Sequence, residues 1–340
     1  MKILVTGAAG FMGSHLVDSL VEMGHEVFGA DDLSGGYMDN VNVHSKFTEL
    51  DLQDRVVTES YIDSIAPELV FHLAADATEG RSQFTPINCT MRNYVAYLNL
   101  LIPCIKNGMK KMVLTSSMSV YGAQKTPFSE DMERRPEDIY AISKAAMEHA
   151  TEILSDVHGF NYTIIRPHNV YGPRQNLADP YRNVIAIFIN RMLQNKHFFI
   201  YGEGNQTRAF SYIDDFTPYI VKAGLDDIAN SQIFNIGPKQ EYTINQLADV
   251  ILNIFYPDGN IPEDMKPVHL PPRPKEVADA FSTMEKAEKL LGYKTTVSFE
   301  EGVSKMVDWA KAHGSMQFKY LDNLELVSKD TPITWKDKLL

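Results

Sequence analysis

Short apolar runs alternate with longer stretches of helical spacing through the first half of the chain. Ile3, Leu4 and Val5 form the first run, Ser14 to Met23 repeats apolar residues at helical intervals until Gly24, and Glu26 to Ala30 is apolar again. Continued in this way, the pattern predicts strands at 2–6, 26–30, 47–51, 69–73, 111–115 and 161–165. It predicts helices at 11–23, about 53–65, 90–107 and 137–157. Strands that alternate with helices pair in parallel, so an α/β fold with a doubly wound sheet is expected. After Pro173 the elements shorten, with helices at about 183–195, 243–254 and 299–312 between loops rich in Gly, Pro and Asn. A domain at 1–172 and a smaller α+β lobe at 173–340 follow, some segments of the lobe returning to the first domain. Residues 314–340 read as an appendage packed by Phe318, Tyr320, Leu324 and Trp335.

Two helices carry further information. In the one at 137–157, Pro136 suits a first helical position, Glu137 and Asp138 complement the dipole, and Ile139, Ile142, Met147, Ala150 and Ile153 recur as a buried stripe. In the one at 90–107, Tyr94, Ala96, Tyr97, Leu98, Leu100, Leu101 and Ile102 run almost around the helix, so part of it should be covered by another surface.

The 340 residues are 44% hydrophobic, enough to bury a large core. A net charge of -12 argues against a general nucleic-acid role, because phosphate backbones demand basic surfaces. No apolar run approaches the roughly 20 residues of a membrane span, and the N-terminus enters a strand directly, so a cytoplasmic location is expected. Cys89 and Cys104 make neither a disulfide framework nor metal spacing, and no metal is expected.

Candidate chemistry lies in two places. Gly7, Gly10 and Gly13 follow the first strand at once, and the second strand ends at Asp31 and Asp32. Glycines let a backbone approach a pyrophosphate at a helix N-terminus, and an acid at that strand end accepts hydrogen bonds from an adenosine ribose. The spacing is Gly-x-x-Gly-x-x-Gly rather than Gly-x-Gly-x-x-Gly. Downstream, Tyr140 and Lys144 stand four residues apart on one helix face, behind Ser117. A phenol, with a pKa of about 10, becomes a base near neutrality when cations favour its ionised form, and Lys144 with an oxidised nicotinamide would supply them. His72, on an apolar strand, and His168, beside a proline, read as structural residues.

In these features the chain resembles an extended short-chain dehydrogenase/reductase of the nucleotide-sugar epimerase and dehydratase branch. The resemblance runs through Asp51-Leu52, Phe71-His72-Leu73-Ala74-Ala75, Asn93, Leu114-Thr115-Ser116-Ser117, Arg166-Pro167-His168-Asn169, Tyr201-Gly202-Glu203-Gly204, Arg208, Asn235-Ile236-Gly237 and Arg273-Pro274. It implies a Rossmann fold binding NAD through Gly7, Gly10, Phe11, Met12, Gly13, Asp31, Asp32, Asp51, Leu52, Leu73, Ala74, Ala75, Asn93, Thr115, Tyr140, Lys144 and Pro167. It implies catalysis by Ser117, Tyr140 and Lys144. Ser117, Ser119, Asn169, Asn183, Tyr201, Arg208, Arg273 and Ala280 would bind the nucleotide-sugar, and the helices at 90–107 and 137–157 would pair two copies as a homodimer.

Departures from the branch narrow the reaction. Its dehydratases place Asp-Glu directly after the triad hydroxyl, its decarboxylases keep a glutamate there, and its 3,5-epimerases place a cysteine where Ser119 stands; this chain has Met118 and Ser119. What remains needs only the triad, which implies a 4-epimerase acting on a UDP-sugar through a transient 4-keto intermediate. A 4-ketoreductase or other dehydrogenase is the alternative enzyme, and a non-catalytic dinucleotide-binding regulator the alternative of another class. Three positions depart further: a lysine of some galactose epimerases is replaced in Asp76-Ala77-Thr78, an Arg-Pro-Gly-Asp run reads Arg273-Pro274-Lys275-Glu276, and His168 replaces a commoner apolar or aromatic residue. A tyrosine where Ala280 stands would exclude N-acetylated sugars, so Ala280 implies an open wall.

Overall fold

Residues 1–273 and 279–340 are described by a computed structural model. Pro274, Lys275 and Glu276, part of the departing Arg-Pro-Lys-Glu run, lie outside the described residues. Strands β1 (Lys2–Thr6), β2 (Glu26–Asp31), β3 (Lys46–Glu49), β4 (Leu69–His72), β5 (Lys111–Thr115) and β6 (Asn161–Pro167) form a parallel sheet with a seventh strand, Gln232–Ile236. The order is Gln232–Ile236, β6, β5, β4, β1, β2, β3, with Val5 of β1 between Gly29 and Phe71. Ile3, Leu4 and Val5 are wholly buried because helices cover both faces of such a sheet. The strand order reverses between β1 and β4, and the carboxyl ends of the strands open a crevice there.

The connecting helices are α1 (Phe11–Glu22), α2 (Arg55–Ile65), the short α3 (Glu79–Ser82) and α4 (Pro86–Thr90), α5 (Ala96–Lys106) and α6 (Ile139–His158). The helix expected at 90–107 is present but starts earlier, at Pro86, and runs on from α4 through a π turn at Met91–Val95 into α5. Helix α6 starts later than Pro136 suggests, because the Asp138 carboxylate caps it by accepting the Ala141 N–H at 2.8 Å. Of its expected apolar stripe, Ile139, Ile142, Met147, Ala150 and Ile153, only Met147 is fully buried. Ile142 is 49% and Ile153 62% exposed, while Glu148, Thr151, Ser143 and Lys144 point inward. A polar face can be buried when every charge finds a partner. Glu148 receives Arg166 of β6 at 3.0 and 2.6 Å, Arg134 at 2.5 Å and the Ser116 hydroxyl.

The second half of the chain packs α7 (Val184–Leu193) against helices Ile244–Phe255 and Phe299–His313 around Phe188, Leu247, Val303 and Met306, in a core continuous with one face of the sheet. Two small sheets carry its contribution to the crevice. Phe199–Tyr201 pairs with Val268–Leu270, and Thr207–Arg208 lies between Tyr242–Thr243 and Asp279–Ala280. The C-terminal segment then returns across both parts. Trp335 is buried edge-on against Phe84 and Tyr181. The Glu325 carboxylate accepts the Ile87 and Asn88 N–H groups at 2.7 Å, and Tyr320 and Leu324, but not Phe318, join the Trp335 cluster.

Candidate active site

β1 leads into the glycine loop, and two positions there admit no side chain. A Cβ on Gly7, whose φ is +73°, would approach the Ala74 nitrogen to 2.8 Å, and one on Gly13 would fall 1.9 Å from the Gly7 carbonyl oxygen. Helix α1 therefore starts hard against the loop, and its first residues face a cavity of about 720 Å³ between the sheet and the second lobe. Every residue expected to bind cofactor or substrate lines this cavity, with one exception. Asn93 is fully buried behind it, where its amide brackets the Asp76 backbone at 2.9 and 3.2 Å and so fixes the turn after β4.

At one end, the Asp31 carboxylate accepts N–H groups from Ala9 at 3.1 Å and Leu33 at 2.8 Å. Burial nevertheless raises its pKa, which leaves it in want of further donors. Asp32 behaves differently. Burial would raise its pKa too, but the Ser34 hydrogen bonds and then the Arg92 charge outweigh it and the net shift is downward. Arg92 Nη1 lies 2.8 Å from the Asp32 carboxylate and 3.1 Å from Ser34 Oγ.

Ser117 caps the 3-10 turn Met118–Tyr121, accepting the Ser119 N–H at 3.1 Å and the Ser119 hydroxyl at 2.9 Å. The Tyr140 phenol faces the same cavity as Ser117. Lys144 Nζ donates to the Thr115 carbonyl at 2.7 Å and sits 5.7 Å from the centre of the Tyr140 ring. The expected lowering of the phenol pKa is not found in the protein alone. Burial pushes the phenol up, and the Glu79 and Asp138 charges push it the same way, with only Ser117 and Arg182 opposing. Burial also brings Lys144 down to about 8.

His72 and His168 are buried and bonded to Thr6 at 2.8 Å and Ser282 at 2.7 Å. Burial pushes both down to about 3, so both are neutral. Among the described residues no cluster suits a metal ion, and no helix is long and apolar enough to cross a membrane. Both cysteines are free and buried.

In the second lobe, Asn183 caps α7 in a left-handed conformation, with φ +64°. Asn169 donates to the Ala209 carbonyl at 3.0 Å. The Arg273 guanidinium lies 5.0 Å over the Tyr201 ring, whose hydroxyl pairs with Thr334 Oγ1 at 2.5 Å. Ala280 forms part of the wall beside Met118 and Phe128.

The residues present suit a dinucleotide. Gly7 and Gly13 leave no room for a Cβ in the tight loop, Asp31 is met by backbone N–H groups and keeps further accepting capacity, and Thr115 Oγ1 is buried on the cavity wall with no partner among the described residues. A family model described as the NAD dependent epimerase/dehydratase family matches residues 3–237. The chain belongs to that family. Its cofactor is NAD. The UDP-glucose 4-epimerase of Mycolicibacterium smegmatis is 34% identical over 318 residues, 91% of this chain and 98% of that one. The crystal structure of UDP-glucose 4-epimerase from Thermotoga maritima with UDP-glucose is 35% identical, with a TM-score of 0.86 over 92% of this chain and 99% of that one. UDP-N-acetylglucosamine 4-epimerase from Methanobrevibacter ruminantium M1 with UDP-N-acetylmuramic acid is 30% identical, at 0.83 over 92% and 98%.

Three features of this family member escape sequence reasoning. Arg92 stands at the Asp31 end, the C-terminal Thr334 and Trp335 reach the cavity, and Glu79 lines it beside Ser117. Arg92 is adjacent to a quoted residue, Asn93, which was a signal. Glu79 follows the Ala74-Ala75 motif by four residues, but no periodicity marks it.

Proposed function

We propose that this enzyme is an NAD-dependent 4-epimerase of a UDP-sugar, either the UDP-GlcNAc/GalNAc or the UDP-Glc/Gal pair. One observation carries the reading: Ser117, Tyr140 and Lys144 converge on the cavity while Met118, which carries no acid or base, occupies the place of a dehydratase acid. NAD, when bound, accepts hydride at C4 of the sugar and returns it. Ser117 donates a hydrogen bond to the C4 oxygen, and Tyr140 takes the proton of that hydroxyl and gives it back. Lys144 supplies positive charge to the phenolate. Asp31 holds the adenosine ribose. Arg208 and Arg273 grip the diphosphate, whose oxygens match guanidinium forks, with Asn169 and Asn183 beside them and Tyr201 against the base. The tether to the diphosphate lets the 4-keto sugar turn, so hydride returns to the other face.

The assembly belongs to the same reading. Ile102 of α5 and Ile142, Ile153 and Val157 of α6 are exposed at 42, 49, 62 and 69%, an apolar surface suited to a second copy of the chain in an isologous homodimer. Light scattering at micromolar concentration tests it: a dimer mass is expected, and a monomer mass refutes the pairing. The activity is tested by incubating the purified protein with UDP-, dTDP-, GDP- and CDP-sugars without added reductant. Appearance of a C4 epimer of a UDP-sugar by NMR is expected, whereas net NADH turnover with a released keto or reduced sugar would replace the epimerase by a dehydrogenase or ketoreductase.

A further inference from the structure

The reaction above has no use for Glu79. This residue opens α3, four positions after Ala75, and lines the same cavity as Ser117, Tyr140, Arg208 and Ala280. Its carboxylate lies near the Ser117 hydroxyl, which opposes the rise in its pKa, and its charge acts on the Tyr140 phenol across the same cavity. If Ser117 and Tyr140 hold the C4 oxygen of the sugar, a group beside Ser117 stands next to the carbons flanking C4. The neighbouring side chain of Met118 is apolar, and the hydroxyl of Ser119 is engaged with Ser117. Asp138, whose charge also reaches Tyr140, is engaged in capping α6, so Glu79 is the carboxylate left to face the sugar, supplied by α3 rather than by the turn after β5.

Its ionisation suits proton transfer. The side chain is exposed to the cavity, and desolvation by the cavity walls, with the Asp138 charge, pushes its pKa up to about 7 against the opposing effects of Arg208, Arg273 and Ser117. A carboxyl near that value can take and give a proton at neutral pH.

We propose that Glu79 is a catalytic base for a carbon adjacent to C4, so that the enzyme exchanges the C3 or C5 proton of its sugar with solvent in addition to inverting C4. The proposal rests on the C4 oxidation argued above, which acidifies both neighbouring C–H bonds. With C4 as a ketone, the C–H bond breaks as an O–H bond forms on Glu79. The electron pair moves into the new carbon–carbon double bond, and the negative charge arrives on the C4 oxygen, where Ser117 and the protonated Tyr140 donate hydrogen bonds. Return of a proton from Glu79 to the same carbon restores the ketone. Because Glu79 faces the cavity, its proton exchanges with water between these two events.

The test is turnover of UDP-GlcNAc and of UDP-glucose by the purified enzyme in D₂O, read by NMR at each sugar carbon and by mass. Deuterium at C3 or C5, with a mass gain of one unit per exchanged site, is expected alongside the C4 epimer. The ratio of carbon exchange to C4 inversion should fall by about 10²-fold or more in Glu79→Gln. A C4 epimer that keeps every carbon-bound proton overturns the role of Glu79 and leaves the epimerase reading intact. Deuterium at carbon without C4 inversion upholds Glu79 and overturns the epimerase reading. No exchange and no inversion overturns both. Should Glu79→Gln fail to fold, Glu79→Asp, which draws the carboxylate back by one methylene, is read by the same ratio: a fall supports the proposal, and an unchanged ratio overturns it.

Discussion

Arg92 holds the Asp32 carboxylate at 2.8 Å on the rim of the cavity, while its neighbour Asp31 is bonded only to backbone N–H groups. The two acids at the end of β2 are therefore not equivalent. Asp32 has its charge answered by a guanidinium, and Asp31 keeps accepting capacity for a ribose. Preference for NAD over NADP should rest on Asp31. Hydrogen bonds to a charged group are worth about 1.5–3 kcal/mol, so Asp31→Ala should weaken NAD binding roughly 10- to 150-fold in calorimetric titration. Wild-type protein that binds NADP as tightly as NAD would refute this assignment.

Tyr140→Phe removes the phenolic oxygen and leaves the ring in its packed position. Folding and NAD binding should persist while turnover falls by about 10²- to 10⁴-fold. A mutant that keeps more than about a tenth of wild-type turnover would show that the proton goes elsewhere. Because the protein alone raises the phenol pKa, the wild-type rate should climb with pH on its acid limb, with NAD bound, as Tyr140 ionises. Lys144→Ala should move that limb to higher pH.

The buried pair of α6 and β6 should dominate stability. Burial by itself would raise the Glu148 pKa, but hydrogen bonds and charge from Arg166, then Arg134, bring it down. A depressed carboxyl contributes stability that is fully present above its unfolded value, about 4.3, and is lost as pH falls through the lower folded value. Glu148→Gln leaves Arg166, which is 1% exposed, without its counter-charge. Loss of one partner of a buried pair costs about 3–5 kcal/mol, which urea denaturation at pH 7 should show. A change below about 1 kcal/mol would mean that the arginine finds another partner or water.

Ala280 packs beside Met118 and Phe128 in the cavity wall, where a methyl group takes up less space than a tyrosine ring would. UDP-GlcNAc and UDP-GalNAc should be turned over at least as readily as UDP-glucose and UDP-galactose. Ala280→Tyr should shift the ratio of kcat/KM toward the second pair. Measuring both pairs on both proteins decides it, and an unchanged ratio removes Ala280 from substrate choice.

What could be read in advance was local. Strand, glycine loop and helix occupy consecutive residues, and Tyr140 and Lys144 are spaced by one helical turn, so period and spacing reach them directly. What could not be read depends on distant partners. The inward face of α6 looks like a surface face until Arg166 arrives from β6 to meet Glu148. The strand Gln232–Ile236 is five residues long and joins the sheet by pairing with a strand some seventy positions earlier. Asn93 carries a family position but turns to Asp76, and nothing in its neighbours says so. Glu79 gains meaning only where α3 meets the Ser117 turn.

Thr334 reaches Tyr201 from near the end of the chain, and Trp335 beside it is packed on Phe84 and Tyr181. Between them and the rest of the molecule runs a stretch, residues 321–330, that is largely exposed. Such a segment opens at smaller free-energy cost than the core, and an opening that extends to Thr334 would break its hydrogen bond with the Tyr201 hydroxyl. Affinity at the base end of the cavity and closure of the tail are then two readings of one coupling free energy, which works equally in both directions. Amide exchange in the tail, compared with and without a UDP-sugar, measures it: slower exchange in the liganded protein is expected, and equal rates would place the tail outside the binding equilibrium.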